Sequence, residues 1–262
     1  MSGLRVTRDG AFARVTLDRP DVRNAFDAEL IVQLRVAFEE LAAEPPRALR
    51  GVVLAGEGAA FCAGADVEWM RGAIGLSVEE NEGDAASMQA MFGAIDACPV
   101  PVIARVHGAA LGGGMGLCAV ADIVVASAGT TFGFTETKLG IIPAVISTVV
   151  LPKIGESHAR ALFVSGERFD AERARAIGLV HEVVANEAEL DARIEALLDE
   201  LRGAGPEASR AAKALVRDLR HLAGSQALDE TVRRIAHLRT SAEGQEGLAA
   251  FVEKRRPAWR DG

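Results

Sequence analysis

Two runs of small residues and one glutamate are the parts of this sequence that could do chemistry. Residues 61–66 (FCAGAD) and 108–114 (GAALGGG) each follow an apolar run typical of a strand and precede a helical pattern, and Glu136 lies downstream. A strand-to-helix junction leaves backbone N–H groups free, and the helix dipole favours negative charge there. Two such groups converging from separate loops would form an oxyanion hole. The pattern therefore predicts a site that stabilises an oxyanion beside one carboxylate.

Other familiar catalytic motifs are absent from the sequence. There is no G-x-x-x-x-G-K-[ST] phosphate loop and no G-x-S-x-G nucleophile elbow. The run that begins at Gly112 fails as a dinucleotide fingerprint, because the position of its third required glycine holds Leu117. His181-Glu182 is followed by apolar residues, so it is not a metalloprotease motif.

The composition bounds the class of protein. The chain has 262 residues, 49% of them hydrophobic, and a formal net charge of −8, which fits one sizeable domain, or one plus a small appendage, and argues against a nucleic-acid partner. Three cysteines without C-x-x-C spacing predict neither a disulfide framework nor a metal site. The longest apolar stretch, residues 108–121, is shorter than the ~18–20 residues of a membrane span. With a charged N-terminal stretch in place of a secretory signal, the sequence predicts a cytoplasmic protein without a membrane partner.

Strands and helices alternate in the first two thirds of the sequence. Breakers and apolar runs predict strands at residues 4–8, 12–17, 52–55, 102–106, 123–126 and 180–184. Helices are predicted after Asp27, after the capping box Ser77-x-x-Glu80 and over residues 112–119. Strands that are apolar on both faces and separated by helices indicate a covered parallel sheet. Beyond about Asn186 only helical patterns occur, so we predict a core over residues 1–190 and a helical region over 191–262.

A third segment, residues 132–143 (FGFTETKLGIIP), completes a specific pattern. Together with the FCAGAD run and residues 107–114 (HGAALGGG), it resembles the enoyl-CoA hydratase/isomerase (crotonase) family. The likeness extends from residues 19–25 (RPDVRNA) to residues 253–259 (EKRRPAW). It implies an α/β, crotonase-like spiral of ββα units and a C-terminal helical region used in trimer formation. A homotrimer or a homohexamer, built as a dimer of trimers, is the expected assembly.

The resemblance also implies the chemistry. Members of this family bind an acyl-CoA thioester and stabilise an enolate at its carbonyl oxygen. It assigns the two oxyanion donors to the N–H groups of Ala65 and Gly113, each worth on the order of 100–1,000-fold in rate. Glu136 then handles the proton on the α-carbon. No cofactor is expected, since coenzyme A is part of the substrate.

Gly116 departs from the family's pattern. Hydratases of this family usually carry two glutamates twenty residues apart. The later one is Glu136 here, and Gly116 occupies the position of the earlier one. Glu136 alone could hydrate a 2-enoyl-CoA by moving both protons, or it could isomerise a 3-enoyl-CoA by carrying one proton between C2 and C4. Residues 136–147, together with Gly116-Leu117 and Asn81-x-x-Asp84, resemble a bacterial hydratase subgroup that includes methylglutaconyl-CoA enzymes, which favours hydration. An acyl-CoA binder that has lost catalysis is a third interpretation, since Ala144 also departs from the pattern.

Further residues are candidates for substrate contacts. Asp84, with Asn81 one turn before it on the same helical face, is a hypothetical substitute for activating water. Trp69 is a candidate for the acyl pocket. The remaining candidates, assigned to coenzyme A or to the loops around the thioester, are Arg23, Ala25, Ala63, Gly64, Asp66, Val67, Gly112, Pro143, Phe251 and Lys254.

Overall fold

The computed structural model describes residues 3–260 of the chain. Its strands, in chain order, are β1 (Leu4–Asp9), β2 (Phe12–Leu17), β3 (Gly51–Gly56), β4 (Val102–Val106), β5 (Ala109–Leu111), β6 (Ile123–Ser127), β7 (Thr131–Gly133), β8 (Arg168–Asp170) and β9 (Glu182–Val184). The helices are α1 (Ala28–Ala42), α2 (Val67–Gly72), α3 (Val78–Asp96), α4 (Gly113–Val120), α5 (Ala144–Ser165), α6 (Ala171–Ala176), α7 (Glu187–Gly203), α8 (Pro206–Leu219), α9 (Ser225–Thr240) and α10 (Ala242–Val252). No helix among these is long and apolar enough to cross a membrane.

Local capping explains where the predicted helices begin. The Asp27 carboxylate accepts a hydrogen bond of 2.7 Å from the Leu30 N–H at the start of α1. At the start of α3 the predicted capping box is present, with Ser77 and Glu80 each accepting from the other's backbone N–H. These helix starts could be predicted from the sequence because each cap joins residues only three positions apart.

The strands form two sheets. The larger has the order β1-β2-β3-β4-β6-β9, in which β1 and β2 are antiparallel and every later pair is parallel. The smaller has the order β5-β7-β8, with β5 and β7 parallel and β7 and β8 antiparallel. The sequence predicted the strands of the larger sheet, although the last begins at Glu182 rather than at residue 180. It did not predict the smaller sheet, because strands of three residues are too short to show a pattern of alternation.

Both faces of the larger sheet are covered by apolar side chains. On one face the strands pack against α1, α3, α4 and α5 in the main core. On the other face Phe12, Val53, Ile103 and Val125 contact the apolar stripe of α7, formed by Leu190, Ile194, Leu197 and Leu198. The predicted boundary between residues 190 and 191 lies inside α7, which packs on this face of the sheet. The division into a core and a C-terminal helical region stays a prediction.

Polar side chains bond the C-terminal helices to the sheet and to one another. Lys213 of α8 donates to the Asp122 carboxylate at 2.6 Å, and the Glu243 carboxylate of α10 accepts from the first N–H groups of α8. The buried guanidinium of Arg50, which precedes β3, donates to the carbonyls of Leu201, Arg202, Ala204 and Trp259 at 2.5–2.9 Å. Burial lowers the pKa of Arg50 from its usual value, an effect that nearby Glu243 partly offsets.

We expect Arg50→Met to destabilise the fold by about 2–4 kcal/mol, because it leaves several buried carbonyls without their charged donor. The free energy of unfolding from chemical denaturation measures this loss. Arg14→Met is the matched control: Arg14 is 38% exposed and bonds one carboxylate, that of Glu195, at 3.1 Å, so its loss should be below about 1 kcal/mol. Equal losses for the two variants would show that Arg50 does not fasten the C-terminal helices.

Candidate active site

The two small-residue runs lie against each other. The Cys62 N–H donates to the Ala109 carbonyl at 3.0 Å, and the Leu111 N–H donates to the Cys62 carbonyl at 3.0 Å, so the first run lies alongside β5. Gly64 has φ of +95°, and a Cβ on it would lie 3.0 Å from the Leu111 carbonyl oxygen and 3.6 Å from the Gly112 Cα. Only glycine tolerates both the conformation and this approach. The two loops are therefore in contact at Gly64 and Gly112, and the convergence of the Ala65 and Gly113 N–H groups stays a prediction.

A bridge to Phe26 fixes the peptide groups around Ala65. The Phe26 N–H donates to the Gly64 carbonyl at 2.7 Å, and the Asp66 N–H donates to the Phe26 carbonyl at 2.8 Å. Both hydrogen bonds flank Ala65, whose own N–H has no acceptor within residues 3–260. The first predicted oxyanion donor is thus held on both sides and left free.

The second predicted donor is the first residue of α4. As the first helical residue, Gly113 has an N–H without an intrahelical acceptor, and no other acceptor is present in the described part of the chain. A Cβ on Gly113 would lie 2.5 Å from the Phe26 ring, so the absent side chain allows the ring to pack on the helix start. Gly112 is held by a hydrogen bond of 3.0 Å from its N–H to the Gly133 carbonyl in β7.

Glu136 lies beside this helix start. It opens a 3₁₀ turn, Glu136–Leu139, shortly after β7, and a Cβ on Gly112 would lie 3.5 Å from its Oε1. Its Oε2 is buried and has no hydrogen-bond partner in residues 3–260. Burial raises the pKa of this carboxyl, and a hydrogen bond from its own backbone opposes the rise. A desolvated carboxylate with a free oxygen is suited to taking and returning a proton.

Buried side chains surround Gly116, the position at which the family's hydratases carry their other glutamate. A Cβ on it would lie 2.6 Å from Ile146 Cγ2 and 2.6 Å from Phe92 Cζ, and both side chains are buried. Apolar groups of α3 and α5 therefore fill the space that a side chain at residue 116 would enter. The sequence showed that this glutamate is missing. It did not indicate that Phe92 and Ile146, at ordinary apolar positions of their helices, occupy its space. Gly116, which occupies a catalytic position of the family's pattern, has no side chain and brings no chemical group to the site.

Several predicted coenzyme A residues lie next to the first loop. Arg23 has φ of +53° and an exposed side chain, and its carbonyl accepts from the Ala63 N–H at 3.0 Å. Ala25 is buried, and its carbonyl accepts from the Arg19 guanidinium at 2.6 Å. Asp66 is buried and caps α2, and Val67, the first residue of that helix, is 64% exposed.

The other predicted residues lie on or next to α2, α3, α5 and α10. Asn81 is exposed, and its amide donates to the Ser77 carbonyl at 2.9 Å within its own helix. Asp84 is half-buried on the same helix, two turns before Phe92, and its role in activating water stays a prediction. Trp69 packs against the main core. Pro143 is buried at the start of α5, whereas Phe251 and Lys254 are exposed at the end of α10.

Sequence reasoning missed the residues that hold the first loop. Arg19 was noted only as part of the family's opening motif, yet its guanidinium bonds the carboxylates of Asp66 and Asp27 at 2.9 Å each. Asn24 is fully buried, and its amide donates to the carbonyls of Glu57 and Ala60 at 2.8 and 2.7 Å. The only available signal was the R-P…N-A motif itself. Within residues 3–260 no cluster of three or more acidic, histidine or cysteine side chains could hold a metal ion, and the expected lack of a cofactor stays a prediction.

The geometry agrees with a comparison against known families. A sequence model described as enoyl-CoA hydratase/isomerase matches residues 7–262 of this chain. The chain belongs to the enoyl-CoA hydratase/isomerase family.

Individual proteins of this family resemble the chain over nearly its full length. A putative enoyl-CoA hydratase from Thermus thermophilus is 33% identical over 248 residues, which cover 95% of this chain and 97% of that protein. A solved putative enoyl-CoA hydratase/isomerase (crotonase) from Legionella pneumophila superposes with a TM-score of 0.93 at 37% identity, covering 99% of each chain. Pseudomonas aeruginosa AtuE superposes with a TM-score of 0.94 at 36% identity, covering 98% of this chain and 99% of that one. The predicted crotonase-like fold is confirmed, and trimer formation stays a prediction.

The packing at Gly116 predicts a loss of stability on adding one methyl group. Gly116→Ala should cost about 1–3 kcal/mol through overpacking against Phe92 and Ile146, although alanine is the better helix former. Gly93→Ala on α3 is the control, since nothing lies within 4 Å of a Cβ there, and it should gain up to about 1 kcal/mol. Unfolding in urea measures both changes. A Gly116→Ala protein as stable as the native one would mean that space for a side chain exists.

The raised pKa of Glu136 predicts the acidic limb of the pH–rate profile. Only an ionised carboxyl can accept a proton, so we expect kcat/KM to fall as the pH drops through a pKa above the ordinary 4.5. The same shift means that the folded state holds the Glu136 proton more tightly than the unfolded state, so this group's contribution to stability is present at low pH and is lost as the pH rises through the raised pKa. Steady-state kinetics across the acidic range, with a pH-independent substrate, checks the limb. A limb at or below 4.5 would contradict the burial of this carboxyl.

Proposed function

We propose that this protein hydrates a 2-enoyl-CoA thioester to a 3-hydroxyacyl-CoA. The observation that carries the proposal is the buried Glu136 Oε2 beside the start of α4: within residues 3–260 neither this oxygen nor the Gly113 N–H has a hydrogen-bond partner. The N–H of Ala65, on the loop in contact with Gly112, supplies the second donor. Two donors that need no rearrangement stabilise the negative charge that develops on the thioester oxygen.

A single carboxylate suffices for the proton balance. Water forms a bond from its oxygen to C3 and gives its proton to Glu136, while the C2=C3 electron pair moves onto the thioester as an enolate. Glu136 then returns that proton to C2, and the enolate collapses to the thioester. The sum is addition of one water molecule with the carboxylate regenerated.

The relatives' names support hydration and a branched acyl group. The protein from Thermus thermophilus is named a putative enoyl-CoA hydratase. A mevalonyl-coenzyme A hydratase from Beauveria bassiana is 34% identical over 264 residues, which cover 94% of this chain and 90% of that protein. We therefore propose a branched 2-enoyl-CoA, such as methylglutaconyl-CoA, as the substrate class to test first.

The binding residues and the assembly belong to the same proposal. Arg23 is exposed next to the first loop, and we assign it to a coenzyme A phosphate because a guanidinium matches phosphate geometry. A homotrimer or a dimer of trimers would cover apolar side chains that α9 and α10 leave exposed in the single chain. These exposed side chains are Leu228, Val232, Ile235, Leu248, Phe251 and Val252.

Isomerisation of a 3-enoyl-CoA is the second candidate function. The packing of Phe92 and Ile146 at Gly116 favours it, because residue 116 brings no carboxylate that could activate water. Glu136 would then take a proton from C2 and return it to C4, with the electron pair passing through the same enolate. An inactive acyl-CoA binder would use the loops without proton transfer.

Glu136→Gln tests the function. We expect it to lower turnover by at least ~100-fold, because glutamine cannot carry the proton, and to leave acyl-CoA binding by calorimetry intact. Glu172→Gln on α6, where the side chain is 62% exposed, is the matched control and should be fully active. Loss of the conjugated-enoyl absorbance of crotonyl-CoA and branched 2-enoyl-CoA thioesters reports hydration, and its gain from a 3-enoyl-CoA reports isomerisation. Acyl-CoA binding with no turnover of either substrate would refute both enzymatic proposals.

A further inference from the structure

We infer that Arg19 is the positioning residue for the first oxyanion donor, the Ala65 N–H. The inference rests on the proposed function, since it concerns the same thioester site. Arg19 does not need to touch the substrate for this role. It acts through the two chain segments between which the Ala65 peptide is held.

The Arg19 guanidinium joins those two segments directly. Its Nη2 lies 2.9 Å from Asp66 Oδ2, and its Nη1 donates to the Ala25 carbonyl at 2.6 Å. Asp66 follows Ala65 in the chain, and Ala25 precedes Phe26, whose backbone bonds both flanks of Ala65. One planar cation thus fixes the loop and the segment that brackets it, with a geometry that its fork of N–H donors makes specific.

The partner carboxylate gives this contact rigidity. The Asp66 side chain is 6% exposed, and its other oxygen accepts from the Glu68 N–H at 2.8 Å. Burial raises the pKa of Asp66, but the hydrogen bonds from the Glu68 N–H and from Arg19 outweigh it and hold the pKa below its ordinary value. Asp66 is therefore ionised at neutral pH, so Arg19 pairs with a buried charge rather than with a mobile surface carboxylate.

Arg19 is itself held on the far side. Its backbone N–H donates to the Asn24 amide oxygen at 2.9 Å, and its Nη2 also contacts Asp27 Oδ2 at 2.9 Å. Asn24 is buried with φ of +56°, which shapes the turn that returns the chain to Ala25. These contacts within its own turn therefore fix the guanidinium independently of Asp66.

The rate gain from an oxyanion donor depends on where the donor lies. A misplacement of about 1 Å at a reacting centre can cost on the order of 100-fold in rate, and a backbone N–H is kept in place only by what surrounds it. Replacing Arg19 should therefore reduce the stabilisation of the enolate without removing a group that binds coenzyme A.

The test compares Arg19→Met and Arg19→Lys with Asp170→Ala. Methionine keeps the length of the side chain and loses its donors, whereas lysine keeps the charge and loses the fork. Asp170→Ala is the matched control, because Asp170 caps α6, a helix of six residues like α2, and lies outside the site. Each protein is measured for kcat and KM, for thermal stability, and for the infrared carbonyl stretch of a bound saturated acyl-CoA carrying a ¹³C label at the thioester.

For Arg19→Met we expect kcat to fall about 10- to 100-fold, with KM changed less than about 3-fold, and the carbonyl stretch to move toward its value in free acyl-CoA. Arg19→Lys should lie between Arg19→Met and the native protein. Asp170→Ala should lower thermal stability and leave both kcat and the carbonyl stretch as in the native protein. If Arg19→Met does not fold, Asp66→Asn replaces it, since asparagine keeps the cap oxygen and loses the charge, and a smaller shift in the same direction is expected.

Two results overturn the inference. Native kcat and a native carbonyl stretch in Arg19→Met would show that the donor keeps its place without the guanidinium. Changes of equal size in Asp170→Ala would show a general effect of lost stability. A native protein in which the carbonyl stretch does not move on binding would instead refute the oxyanion donors of the proposed function.

Discussion

The proposed function requires two backbone N–H groups, those of Ala65 and Gly113, to stay free of acceptors inside the protein while facing the place where a carbonyl oxygen would gain charge. A backbone donor normally finds a partner when a chain folds, and leaving one unpaired costs about 1–3 kcal/mol if it is also removed from water. The surrounding structure therefore has to hold the neighbouring backbone while these two stay open. Hydrogen bonds at the Gly64 carbonyl, the Asp66 N–H and the Gly112 N–H hold the backbone next to the two donors.

Phe26 connects this requirement to the packing of the core. Its backbone brackets Ala65, and its ring lies where a side chain on Gly113 would be. The same ring meets Phe92 edge-on, with the centroids 6.4 Å apart. Phe92 in turn packs on Gly116. This pair of aromatic rings therefore links the start of α4 to the space at Gly116, which Ile146 also fills.

The sequence predicted those features that are local in the chain. The caps at Asp27 and Ser77, the strands of the larger sheet and the two small-residue runs all depend on residues a few positions apart. The family resemblance then placed Glu136 beside these runs, and the structure has its carboxyl next to Gly112.

Sequence reasoning could not reach features that depend on distant contacts. The Arg19–Asp66 bond joins residues 47 positions apart, and neither segment contains a sequence pattern that predicts the other as its partner. The filling of the space at Gly116 depends on where α3 and α5 lie against α4, which no periodicity specifies. The smaller sheet, built from strands of three residues, likewise exists only because the fold brings them together.

A crystal structure with a saturated acyl-CoA bound tests the central claim most directly. The account predicts that the thioester oxygen lies within hydrogen-bond distance of both the Ala65 N and the Gly113 N, and that C2 of the acyl group faces the Glu136 carboxyl. A thioester oxygen bonded to neither N–H, or a Glu136 side chain turned away from C2 into solvent, would contradict it.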